Sequence, residues 1–157
     1  KRMAFLSSIN IIGSGLTAQQ LRLDVVSENI TNSTTTRTEN DGGAYRRKMV
    51  VFEAQSGRES FRSAMAKAAG KAVANRDNGA NAGGVRVTQI VDDPSPLKLV
   101  YDPTHPDANE EGYVEMPNVD TVKEITDAMA ATQAYSANVT AFNTLKSVIA
   151  KGLEIGG

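Results

Sequence analysis

The single histidine of the chain, His105, stands in the segment Asp102-Pro103-Thr104-His105-Pro106-Asp107, with Glu110 and Glu111 a few residues on. An imidazole and several carboxylates in one short stretch are the ligand types of a zinc or manganese site, and an imidazole beside a hydroxyl is the pairing of nucleophilic catalysis. The residues themselves argue against both. Pro103 and Pro106 impose an extended turn, no second imidazole is available, and scattered carboxylates in a polar loop are ordinarily solvated. No Gly-x-Ser-x-Gly elbow presents a serine nucleophile. No catalytic, cofactor-binding or metal-binding residue is assigned, and no cofactor is expected.

Two further stretches suggest phosphate chemistry and fail on inspection. Gly70-Lys71 looks like the end of a phosphate-binding loop, yet Ala72 replaces the Ser or Thr that would touch magnesium, and the upstream glycine is missing. Arg46-Arg47-Lys48 is a basic run without interleaved aromatics, which fits surface solvation or an inter-subunit salt bridge better than a nucleic-acid contact.

Composition narrows the classes further. The 17 Lys and Arg nearly balance the 18 Asp and Glu, so the chain lacks the electrostatic footprint of a protein held by nucleic acid or anionic lipid. With no cysteine there is no disulfide framework and no thiolate site. The start, Lys1-Arg2-Met3-Ala4-Phe5-Leu6, resembles a charged signal region, but Ser7, Ser8 and Asn10 break the apolar run. No apolar stretch approaches the roughly 20 residues of a membrane helix. A soluble protein without direct membrane insertion is expected, and any export must use a route that reads no cleaved signal. Charge is distributed unevenly, with a net of −4 over residues 94–117 and +3 over 37–93. Such blocks either steer subunit docking or are solvated surface.

The elements that must carry these residues follow from periodicity. Phe5, Ile9, Ile12, Leu16, Gln19, Leu23, Val26 and Ile30 step by four and three alternately, the stripe of a coiled-coil helix. Gly13 and Gly15 lie inside it and mark either a poorly formed first turn or close approach by a neighbouring helix. A loop covers Thr31–Ala44. Tyr45–Glu53, Val85–Val91 and Leu97–Tyr101 read as β segments, with an Ala-rich, then Asn/Gly-rich, stretch between the first two that has little to bury. A second long helix is predicted from Asp120 to Leu153. Ile125, Met129, Thr132, Tyr135, Val139, Phe142, Leu145, Ile149 and Leu153 hold one face, and Ala128, Ala131, Ala134, Ala137 and Ala141 widen it.

The expected fold is therefore mainly α with a small β module. Long N- and C-terminal helices pair as an antiparallel coiled-coil layer, and the β-rich middle lies outside. Residues 1–36 and 118–157 form the helical domain, and 37–117 the middle module, with a weakly ordered Ala/Gly-rich insertion at 57–84. The assembly seam comprises Phe5, Ile9, Ile12, Leu16, Leu23, Val26, Ile30, Ile125, Met129, Tyr135, Val139, Phe142, Ile149 and Leu153. A long unpaired apolar seam, repeated around an axis that does not close, is buried by forming a helical tube.

Several stretches also resemble a known family. Ser14-Gly15-Leu16-Thr17-Ala18-Gln19, Ser27-Glu28-Asn29-Ile30, Gly42-Gly43-Ala44-Tyr45-Arg46-Arg47-Lys48, Tyr101-Asp102-Pro103-Thr104-His105-Pro106-Asp107 and Gly112-Tyr113-Val114-Glu115-Met116-Pro117-Asn118-Val119-Asp120 are similar to the flagellar rod/hook axial proteins, the proximal-rod FlgC type in particular. Ala44, Thr31 and Ser136 depart from that pattern, where proline, alanine and glutamate are usual.

The resemblance implies a non-enzymatic structural subunit of the bacterial flagellar proximal rod, a hollow drive shaft that transmits motor torque and lets exported subunits pass. It implies export by the flagellar type III apparatus and a periplasmic place in the basal body. Its partners would be copies of itself and rod proteins of the FlgB, FlgF, FlgG and FliE types, with the base ring and a surrounding bushing ring as further neighbours and no nucleic acid. The alternatives are another rod or hook subunit, a small metal-dependent hydrolase centred on Asp102 and His105, and a coiled-coil adaptor.

Overall fold

The computed structural model describes residues 2–39, 42–55 and 83–155. The Ala-rich part of the insertion expected at 57–84 lies outside them. Among the described residues two long helices frame four short strands: α1 (Arg2–Thr31), β1 (Lys48–Ala54), β2 (Val85–Asp92), β3 (Lys98–Tyr101), β4 (Tyr113–Met116) and α2 (Thr121–Ile155). Among the described residues no helix is long and apolar enough to cross a membrane.

Local chemistry sets the helix ends. α1 contains no proline and runs through both internal glycines, then stops where Asn32 turns its backbone N–H and its side-chain Nδ2 onto the carbonyl of Glu28. α2 starts after Pro117, with the Asp120 carboxylate accepting from the N–H groups of Val122 and Lys123 at 3.1 and 3.4 Å. Such a cap satisfies helix donors that have no partner in the helix itself and contributes about 1 kcal/mol.

The helices pack antiparallel, as expected. Gly15 lies against Asn138, Arg22 against Asp127 and Asn29 against Glu124. A Cβ added at Gly15 would stand 3.0 Å from Asn138 Nδ2, whereas nothing lies within 4 Å of one at Gly13. Close helix approach therefore explains Gly15, and the first turns are helical at both.

The strands form two separate antiparallel pairs, β1 with β2 and β3 with β4. The first pair has an irregular register between Val51 and Phe52 and lies along α1, where Val85 N–H donates to Ser14 Oγ at 3.1 Å. The second is a hairpin whose long connection closes at Gly112. That residue has φ +81°, and a Cβ there would meet the Tyr101 ring at 2.9 Å. β4 was not expected. Four residues between Gly112 and Pro117 are too few to show a period of two.

The core is small-sided: Ala18, Val25, Val26, Ala44, Tyr45, Val114, Val119 and Ala131 are buried. Among the described residues the largest fully buried side chains are Glu124, Asn29 and Pro117, so two of the three are polar. The face α2 turns to α1 is more polar near its start than the expected pairing of two apolar stripes, with Tyr135, Leu145 and Ile149 half-buried farther along. It carries Glu124, Asp127, Ala131 and Asn138.

Candidate assembly site: a buried polar node and an exposed apolar row

Asn29 closes the joint between α1, β1 and α2. Its Nδ2 donates to the Lys48 carbonyl at 2.9 Å and to Glu124 Oε2 at 3.0 Å, while its Oδ1 accepts from Tyr45 Oη and from Lys48 N–H, both at 2.9 Å. An amide side chain has two donors and two acceptor lone pairs, and here all are used. The other oxygen of Glu124 accepts from Arg47 Nε at 2.6 Å. Arg47 also lies 3.6 Å from Asp93 and 3.9 Å from Asp127, and Asp127 pairs with Arg22 at 2.6 Å. Asn118 Oδ1 accepts from Arg47 N–H at 2.8 Å and Lys48 pairs with Glu28, so the network reaches every element around the joint.

Burial and charge act together at this node. Burial, then the carboxylates of Glu28, Asp92 and Glu124, push the Tyr45 phenol well above its ordinary range, so it stays protonated and donates to Asn29. Burial opposes the Arg47 charge, but the hydrogen bond and charge of Glu124, followed by Asp93 and Asp127, outweigh it and raise its pKa. The Ser95 hydroxyl and N–H, followed by Arg47, hold the Asp93 carboxyl below its usual value. By contrast, the Arg86–Glu53 pair is more than half exposed on both sides, and such surface pairs contribute little.

Sequence reasoning missed this node. It read Arg46-Arg47-Lys48 as solvated or inter-subunit, whereas Arg47 and Lys48 are engaged within the chain and only Arg46 is exposed. The available signal was Asn29 itself, a short polar residue next to the apolar stripe of α1.

The expected seam residues separate by helix. In α1, Val26 is buried and Ile9, Ile12, Leu16, Leu23 and Ile30 are half-buried. In α2, Ile125, Met129, Val139 and Phe142 are exposed, Ile125 by 49% and Met129 by 69%, and Tyr135 and Ile149 are half-buried. The side chains of Phe5 and Leu153 lie outside the described residues. Ile125 and Met129 thus stand off the face that α2 turns to α1, whereas Tyr135, Phe142 and Ile149 fall at the same helical spacing as Glu124, Ala131 and Asn138.

The loop around His105 is stapled to itself. Asp102 Oδ1 accepts from Thr104 N–H at 3.0 Å and from its hydroxyl at 2.6 Å, which lowers the Asp102 pKa. His105 Nδ1 accepts from Asp107 N–H at 3.1 Å. These groups shape a turn, and among the described residues no three His, Cys, Asp or Glu side chains are placed to share a metal ion.

Comparison with known proteins agrees with a structural part. Residues 9–37 match the family described as flagella basal body rod protein, and residues 110–155 match that of the flagellar basal body rod FlgEFG protein C-terminal region. The chain is 48% identical to the flagellar basal-body rod protein FlgC of Bacillus subtilis, covering 98% of this chain and 99% of that one. The chain belongs to the FlgC family. FlgC of Borreliella burgdorferi is 44% identical, covering 98% of each chain, and that of Salmonella typhimurium 39%, covering 98% of this chain and 99% of that one. As a FlgC-family member, the chain is a structural subunit of the flagellar basal-body rod and not an enzyme.

Proposed function

We propose that the chain builds the proximal rod as a helical tube, with α1 and α2 as its inner layer and the strand-bearing middle outside. The observation that carries this is the outward apolar row of α2. Val122, Ile125 and Met129 are exposed by 49–75% although α2 already packs against α1 through the face of Glu124, Ala131 and Asn138. Val139 and Phe142 at that face keep 36% and 39% of their surface in water. Leaving such side chains in water forgoes about 25 cal/mol for each Å² of apolar surface, which an assembled neighbour recovers. The seam then comprises this row and the α1 residues Phe5, Ile9, Ile12, Leu16, Leu23, Val26 and Ile30, in coiled-coil contact with adjoining subunits. Residues 1–36 and 118–157 act as the helical unit and 37–117 as the outer one.

In this reading the subunits are exported through the flagellar type III apparatus and assemble in the periplasm. Each contacts copies of itself and rod proteins of the FlgB, FlgF, FlgG and FliE types. The tube transmits motor torque and leaves a passage for later subunits. Charge in the node suits that mechanical task, because ion pairs and hydrogen bonds fix the orientation of β1 on the helices where apolar packing alone would slide. The test is co-purification of the chain with detergent-extracted basal bodies. Its absence from them, with normal rods present, refutes the reading.

A further inference from the structure

The start of β1, the end of β2, the start of β3 and the end of β4 all meet at residues 118–119, just before α2. Asn118 Oδ1 accepts from Arg47 N–H at 2.8 Å, and its Nδ2 donates to the carbonyls of Asp93 at 3.3 Å and Ser95 at 3.1 Å. Lys98 Nζ donates to the Val119 carbonyl at 2.6 Å. Pro117 and Val119, on either side of Asn118, are buried, so this clamp stands on a fixed stretch of chain.

These bonds matter because little else holds the hairpin of β3 and β4. Among the described residues no Cα of either strand lies within 8 Å of one in the two helices or in the first strand pair. Val114 alone among the strand residues of the hairpin is buried. Between the hairpin and the loop of residues 36–44 a cleft of about 390 Å³ stays open, lined by Thr36, Arg37, Ala44, Asp107, Tyr113 and Glu115. Thr36 Oγ1 donates to Asp107 at 2.9 Å, and Arg37 reaches the same carboxylate only at 3.8 Å. The Arg37 side chain is 75% exposed, and ion pairs so open to water contribute little. Apolar contact has no direction, whereas hydrogen bonds fix one. Each strand is about 13 Å long at about 3.3 Å per residue, so a swing of about 10° at the base carries the far end about 2 Å.

We infer that Asn118 and Lys98 are positioning residues: they set the angle at which the β3–β4 hairpin stands on the helix pair, and with it the surface the subunit offers to its neighbours. The Asn118 amide ties the base of the hairpin to the near end of the first strand pair, and Lys98 ties it to the chain entering α2. Without these bonds the hairpin pivots about residues 116–119 while the helices stay in place, since Asn29 with Glu124 and Arg22 with Asp127 hold them through other atoms. The use of this angle in assembly rests on the rod reading above.

The chain has no cysteine, so spin labels attach only where thiols are introduced. Double electron–electron resonance on the full chain reads Glu111→Cys against Gln20→Cys for the hairpin, and Lys123→Cys against Gln20→Cys for the helix pair; all three positions are exposed. Asn118→Ala and Lys98→Met are each expected to at least double the width of the hairpin distance distribution and to leave that of the helix pair unchanged. Asn118 also holds Arg47 N–H beside the node, so Lys98→Met decides where the two variants differ. Lys98→Arg, which still donates to the Val119 carbonyl, should restore the narrow distribution. At equal export, Lys98→Met should also lower the chain in isolated basal bodies several-fold, read by immunoblot. A hairpin distribution that neither change widens, that is already as wide without them, or that widens only together with the helix pair overturns the inference, and so does a widened variant that incorporates like the wild type. None of these outcomes touches the rod reading, which fails if the wild-type chain is missing from basal bodies.

Discussion

An amide that makes four hydrogen bonds inside a protein leaves four groups wanting when it is removed. Asn29→Ala is therefore expected to cost about 3 kcal/mol of unfolding free energy in urea, since orphaned buried polar groups carry about 1–3 kcal/mol each and some will find water. Arg47→Ala strands the buried Glu124 carboxylate and should cost about 3–5 kcal/mol. The double change Arg47→Met with Glu124→Leu removes both charges and should be far milder, a difference read from the same urea curves. Tyr45→Phe separates hydrogen bond from charge. The phenol's folded pKa is raised, so its contribution is complete below the unfolded value near 10 and is lost as pH rises beyond it. Below that pH the variant should be less stable by about 1 kcal/mol. The two thermal-midpoint profiles should converge as the solution becomes strongly alkaline.

At the scale of elements, burial is concentrated at the node end of the helix pair. Ala18, Val25, Val26 and Asn29 are buried in α1 and Glu124 and Ala131 in α2, and no described residue after Ala131 is buried. Amide exchange of the isolated chain should therefore show protection around residues 18–31 and 121–131, falling off toward residues 2–12 and 140–155. Uniform protection along both helices would contradict this. Gly13→Ala meets no atom within 4 Å and should stabilise the helix by about 1 kcal/mol, while Gly15→Ala must displace Asn138 and should gain less. Both helices were legible in the sequence because an apolar period of three and four persists over many turns. The polar part of the face by which α2 meets α1 was not, because Glu124, Ala131 and Asn138 act there through size and hydrogen bonding, which leave no hydrophobic period. β4 was too short for alternation to register, and the node joins residues such as Asn29 and Glu124 whose partnership has no local trace.

For the whole molecule, the proposed seam on α2 would separate the making of a subunit from its use. Met129→Asp puts a carboxylate on a position that is 69% exposed in the monomer, so the isolated chain should keep its stability within about 0.5 kcal/mol. In an assembled tube the same carboxylate would be desolvated at a cost of several kcal/mol. The variant should be secreted and absent from rods, as measured by immunoblot of basal bodies; normal incorporation would remove this row from the seam. The antiparallel joint has one more consequence, for the order of events in folding. Asn29 and Glu124 are 95 residues apart in the chain, and Arg22 and Asp127 are 105 apart. Contacts of such high order close a long loop at an entropic cost that no local pairing repays in advance, which makes their formation late. In the export route proposed above, the node cannot close until most of the polypeptide has emerged, so the threading chain would keep α1 without its partner and remain pliable until it arrives.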